Sequence, residues 1–186
     1  MDAILDLPEM RARVRRWTVA EYEKLGDDPA FRRTELIRGL IVNKMSKSPL
    51  HSNATTRFYV FLVRHLRPEF VARQEQPLRL VDSMPEPDIS VMRGTLDDFN
   101  ARHPSTAELA VEVAVSSVAS DRENASLYAE AGITQYWIVL GATEQVEVYR
   151  RPVAGVYQER RIYGRGELIE QVGVVAVPVP VNTFFE

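Results

Sequence analysis

The chain contains no cysteine. That excludes disulfides, thiolate metal sites and cysteine nucleophiles, and it suits a reducing cytoplasm. No apolar run is long enough to span a bilayer, so no membrane association is expected. The opening stretch from Met1 to Met10 has no basic residue ahead of its short apolar patch and carries Asp2 and Asp6 inside it. It does not read as a signal peptide. Repeats and low-complexity tracts are missing too. So is the broad basic field that would hold nucleic acid by charge alone, because the formal net charge is −3. Arginine clusters at Arg11, Arg13, Arg15 and Arg16, at Arg32 and Arg33, at Arg150 and Arg151, and at Arg160 and Arg161 read as solvated surface. A bound divalent cation can still supply positive charge locally, which leaves nucleic acid open as a substrate.

What is present is an ordinary soluble composition, 45% hydrophobic and 26% charged over 186 residues. This length suits one domain over residues 1–186, with 1–16 a loosely ordered leading segment. Thr18 and Glu21 have capping-box spacing and predict a short helix to about Leu25, ended by Asp27, Asp28 and Pro29. Apolar runs on either side of Arg38-Gly39 predict a hairpin. Ser48-Pro49 opens a stronger helix whose Ala54, Phe58, Phe61, Leu62 and Leu66 define one buried face, and Arg67-Pro68-Glu69 stops it.

Strands are predicted at 70–73, 89–92 and 109–115, the last nearly continuous in apolar residues and so covered on both faces. Ser120 with Glu123 predicts a capped helix over 121–131, ending at Gly132. A buried strand at 136–140 follows, then antiparallel strands at 146–149, 156–163 and 168–172. This order predicts an α/β fold: a mixed central sheet flanked by helices, with an N-terminal hairpin and antiparallel C-terminal strands.

Two carboxylates stand where packing alone would not put them. Asp88 lies in Pro87-Asp88-Ile89 at the mouth of a strand, and Glu112 interrupts the apolar run from Leu109 to Val115. A buried carboxylate without a partner costs several kcal/mol, so a cation or an arginine is expected beside it. From pattern alone, Glu112 fits a solvated edge or a quiet arginine pair equally well, and Pro-Asp also occurs in plain turns.

These residues carry a family resemblance. Tyr22, Glu35-Leu36-Ile37-Arg38-Gly39, Ser48-Pro49-Leu50-His51, Pro87-Asp88, Val111-Glu112-Val113, and Leu127 to Ile133 followed by Tyr136-Trp137 occur in order over roughly residues 17 to 150. The chain thereby resembles the Uma2-like (DUF820) proteins of the PD-(D/E)XK restriction-endonuclease-like superfamily. The resemblance implies metal-dependent hydrolysis of phosphodiester bonds in DNA. It implies Mg²⁺ or Mn²⁺ held at Asp88, Glu112 and Val113, and a third acid at Glu35, although a plain surface position in the hairpin would explain Glu35 equally well. His51 is a candidate phosphate contact, although capping or packing would explain it as well. Related nucleases often pair, so a homodimer is an expectation.

The sequence departs from the family at the lysine that stabilises transition-state charge. The position two after Glu112 is Ala114, and the alternative helical position, four residues before Tyr128, is Asn124. Asn124 brings a hydrogen-bond donor without charge, and Arg122 is a nearby substitute for contact with the substrate. The resemblance thus implies a nuclease weakened at this point. Two other readings stay open: an inactive nucleic-acid or protein-interaction module on the same fold, and a paired-carboxylate hydrolase acting on sugars.

Overall fold

Local signals close most of the elements. A computed structural model describes residues 7–26, 28–115 and 117–186. The opening residues through Asp6, and Asp27 among the expected helix breakers, lie outside the described residues. After a single turn, α1 (Pro8–Arg11), comes α2 (Val19–Glu23), capped by Thr18. The Glu21 amide donates to Thr18 Oγ1, and the Thr18 amide donates back to the Glu21 carboxylate at 2.9 Å. Strands β1 (Thr34–Ile37) and β2 (Leu40–Asn43) form the expected hairpin. Both turn residues are left-handed, Arg38 at φ 52° and Gly39 at φ 76°, as a two-residue type I′ turn requires. Glycine is also needed there for space, since a Cβ would lie 2.8 Å from Arg16 Cβ.

Helix α3 (Pro49–His65) starts at Ser48, whose hydroxyl accepts from the His51 amide at 3.2 Å, and buries Ala54, Phe58 and Leu62. The main sheet then forms from β3 (Phe70–Gln74), β4 (Ile89–Arg93), β5 (Leu109–Ala114), β6 (Gln135–Leu140), β7 (Gln145–Val153) and β8 (Val156–Tyr163), in that spatial order. Every pair is antiparallel except β5–β6, which is parallel and is connected through α4 (Val118–Glu130). The short strands β9 (Leu168–Ile169) and β10 (Val179–Pro180) pair with each other outside this sheet. The result is the mixed sheet with flanking helices and antiparallel extensions that the sequence order predicts.

Alternation along the central strands divides the core. Val111, Val113, Trp137 and Val139 face α3 and the C-terminal segment, where Phe58, Trp137 and Phe184 form an aromatic cluster with Phe58 and Phe184 centroids 4.4 Å apart. Ala110, Ala114, Tyr136 and Ile138 face the other way, toward Leu127 and Tyr128 of α4.

Two local expectations are corrected. Helix α4 begins at Val118 with Ser117 as N-cap, so there is no Ser120–Glu123 capping box. The Ser120 hydroxyl instead donates back to the Ser117 carbonyl at 2.7 Å, and the Ser117 hydroxyl donates to Asp121 Oδ2 at 2.6 Å, which closes the first turn. An acidic side chain there also suits the helix dipole. The strand expected over 168–172 stops at Ile169, because Gln171 at φ 55° and Gly173 at φ 79° break the extended run. Val172, Val174 and Val175 are buried all the same.

Candidate active site

The antiparallel register of β4 and β5 pairs Ile89 with Val111, which makes Asp88 and Glu112 cross-strand neighbours at the open end of that ladder. A backbone amide from each side binds the carboxylate of the other. The Asp88 amide donates to Glu112 Oε2 at 3.3 Å, and the Val113 amide donates to Asp88 Oδ2 at 2.8 Å. Both acids line one cleft of about 740 Å³, together with Glu35, Lys47, His51, Glu75, Asp121 and Asn124.

Each flanking element contributes to this cleft. From β1, Glu35 Oε1 accepts from the Glu86 amide at 2.7 Å. From the entry to α3, Lys47 Nζ stands 3.2 Å from Asp88 Oδ1 and 2.9 Å from Glu75 Oε1, while His51 Nε2 lies 2.9 Å from Asp88 Oδ2. From α4, Asp121, Asn124 and Tyr128 fall at i, i+3 and i+7, one helical face. Tyr128 reaches Glu112 Oε1 with its hydroxyl at 2.8 Å.

The electrostatics are those of crowded acids. Burial pushes the Glu112 carboxyl well above its ordinary range, and the negative charges of Asp88, Asp121 and Glu35 push it further, against the Tyr128 hydrogen bond. Burial likewise raises Asp121 to about 6, opposed by the Ser117 hydrogen bond and assisted by Asp88. Glu35 is raised by burial, with Glu86 and Asp88 adding to it and the Glu86 amide and Lys44 opposing. Three carboxyl groups, those of Glu112, Asp121 and Glu35, are therefore held in a cleft that disfavours their charges.

Among the described residues, no group of three or more His, Asp or Glu side chains is gathered closely enough to hold a metal ion. The donor chemistry nonetheless fits a hard divalent cation: carboxylate oxygens, mutually repelling, with Asp88 Oδ1 occupied by an ammonium in the place where a cation would relieve them. Val113 can contribute only through its backbone, since its side chain is buried in the α3-side core.

The structure thus brings Asp88, Glu112, Glu35, Asn124 and His51 to one cleft. Arg122 is not among them. It points from α4 to Glu147 on β7, with Nε 3.2 Å from Oε2, and so is placed away from the substrate position expected for it. Glu147 also receives Arg160 at 2.8 Å and the Tyr149 hydroxyl at 2.7 Å. His51 is engaged with Asp88, and its buried Nδ1 has no hydrogen-bond partner among the described residues. Sequence reasoning missed Asp121, Lys47 and Glu75. A helix start at Ser117 would have put Asp121 on the first turn beyond Glu112, and Lys47 adjoins the Ser48-Pro49 signal already in hand. Glu75 carried no signal.

A mixed α/β sheet with acids converging at the ends of neighbouring central strands defines a nuclease-like fold. Residues 19–178 match the Uma2 family, described as "Putative restriction endonuclease". The chain belongs to this family. Among solved structures it is similar to a DUF820 protein from Anabaena variabilis ATCC 29413, described as "a putative nuclease", with a TM-score of 0.75 at 19% identity, covering 90% of this chain and 97% of that one. At that identity the likeness speaks for the fold. No curated protein matches the sequence. No described helix is long and apolar enough to cross a membrane.

Proposed function

We propose that this chain hydrolyses phosphodiester bonds in DNA with the help of Mg²⁺ or Mn²⁺. The observation that carries the reading is the interlocked pair Asp88 and Glu112 on adjacent strands, facing a cleft that also receives Glu35 and Asp121. Burying these charges together is costly, and a fold retains such a cost where a cation is to be bound. Asp88, Glu112 and the Val113 backbone would hold the cation. Once bound, a cation of this kind polarises the phosphate and lowers the pKa of the attacking water.

The chain's own groups do the positioning. Tyr128 fixes the rotamer of Glu112 through Oε1, leaving Oε2 toward Asp88. His51 and the Val113 amide fix Asp88 through Oδ2, leaving Oδ1 toward the cleft. Glu35 is steadied by the Glu86 amide at the side of the same cleft. The test is Mn²⁺-dependent cleavage of plasmid and single-stranded DNA by the purified protein, with Asp88→Asn and Glu112→Gln as controls. Cleavage that survives both substitutions, or that persists in chelator, refutes the reading.

One observation favours a second reading, an inactive nucleic-acid-binding module. The helical position at which the family resemblance places a lysine holds Asn124, which lines the cleft without charge. In that case DNA binds with a measurable affinity while no condition yields cleavage.

A further inference from the structure

We propose that Lys47 yields Asp88 to the bound divalent cation and then supplies positive charge to a phosphate in this cleft. The inference rests on the nuclease reading above and assigns the cleft's charge to a residue outside α4. Among the described residues, the side chains of Lys47 and His51 contact the Asp88 carboxylate, and Lys47 brings an ammonium to it. The two approach different oxygens. Oδ2 is taken by His51 and the Val113 amide, whereas Oδ1 is taken by Lys47, 3.2 Å away.

The exposures distinguish this contact from a surface ion pair. The Asp88 side chain is 7% exposed and the Lys47 side chain 36%, so the ammonium caps a buried carboxylate from the solvent side, where a ligand enters. Among the other cations, Arg33 lines the cleft but is exposed and makes no contact with Asp88. Lys44 is paired with Glu86, and Arg122 lies away at Glu147.

Glu75 makes the arrangement workable. An ammonium and a divalent cation repel at one oxygen, so occupation of Oδ1 by the cation requires Lys47 to move off. Because Lys47 is also held by Glu75 Oε1 at 2.9 Å, it keeps a counter-ion and stays at the cleft when it leaves Asp88. An ammonium has three donors, enough for Glu75 and a phosphate oxygen together.

This predicts effects of opposite sign on two ligands. In the full chain, Lys47→Met removes the competitor at Asp88, and Mn²⁺ titrated calorimetrically without DNA binds roughly tenfold tighter, the scale of one nearby charge at a partly exposed site. The same variant binds a fluorescent single-stranded oligonucleotide more weakly in Ca²⁺. Its log–log salt slope is shallower by about 0.7, the loss of one phosphate contact. Plasmid cleavage in Mn²⁺ falls roughly a hundredfold, as for loss of one transition-state donor. Lys47→Arg retains the salt slope, and Asn124→Lys added to Lys47→Met recovers part of the cleavage by returning charge from α4.

A merely structural Lys47 would weaken Mn²⁺ binding when removed, or leave it unchanged, and either result overturns the proposal. If wild type cleaves and Lys47→Met cleaves equally well, only the Lys47 proposal fails. If wild type binds Mn²⁺ but neither binds nor cleaves DNA, the nuclease reading fails and the phosphate role of Lys47 goes with it.

Discussion

Replacing Asp121 by Asn should stabilise the metal-free protein at alkaline pH and leave it almost unchanged near pH 4. The Asp121 carboxyl is raised from 3.8 to about 6, first by burial and then by the negative charge of Asp88, against the Ser117 hydrogen bond and His51. The folded state therefore holds this proton more tightly than the unfolded chain does. Stability linked to the group is fully present below pH 3.8, is lost as pH rises toward 6, and stays lost above that. A shift of this size corresponds to roughly 3 kcal/mol, taken as an upper figure.

Asn keeps the shape and an oxygen to accept from Ser117 without ever ionising, so Asp121→Asn should recover about 2 kcal/mol at pH 8. In a domain of this length that raises Tm by about 4–8 °C. Removing the charge also relieves Glu112, which Asp121 pushes upward, and this acts in the same direction. The assay is thermal unfolding followed by circular dichroism at pH 4 to 8 in EDTA, for wild type and variant side by side. A Tm difference that is flat with pH, or a variant less stable at pH 8, would refute the account of the cleft as a set of destabilised charges.

Three further outcomes follow from the same geometry. Mn²⁺ should stabilise wild type by about 3 kcal/mol at a hundredfold excess over its Kd, and thermal melts of Asp88→Asn and Glu112→Gln should show that shift abolished. Tyr128→Phe removes the 2.8 Å hydrogen bond to Glu112; denaturant unfolding should report a loss of about 1.5–3 kcal/mol at neutral pH, and NMR titration should show the Glu112 pKa rising further. Glu147 is fully buried and, although burial opposes it, Arg122, Arg160 and Tyr149 hold its carboxyl at about 2. Glu147→Ala should therefore cost about 2 kcal/mol at pH 7, below the roughly 3–5 kcal/mol seen when a buried charge is left behind, because both arginines are about half exposed. That stability is present above pH 4.5 and lost as pH falls toward 2, which urea melts across that range would reveal.

Strictly local features were legible in the sequence. Thr18 and Glu21 specify their capping box, Arg38-Gly39 its two-residue turn and Ser48-Pro49 the start of α3, because each depends on residues three or four positions apart. The central strands could be read because burial on both faces demands unbroken apolar runs. Glu112 stood out for the same reason, as a charge inside such a run. The start of α4 was not legible in this way. Ser117 and Ser120 are equally good caps by composition, and the choice fell to the Ser117–Asp121 contact.

Tertiary structure decided the rest of the site. The register of β4 against β5 set Asp88 beside Glu112, and α3 and α4, packed on opposite faces of the sheet, delivered Lys47, His51 and Asp121 to its end. Lys47 reaches Asp88 across 41 positions of chain, a distance over which no periodicity or spacing carries information. Arg122 shows the converse. Two residues from Asn124 in sequence, it lies on a different helical face, where Glu147 of β7 claims it. Sequence alone determined which groups could be charged and where the chain must turn. Only packing determined which charges met, because charge–charge contact depends on proximity in space and not along the chain.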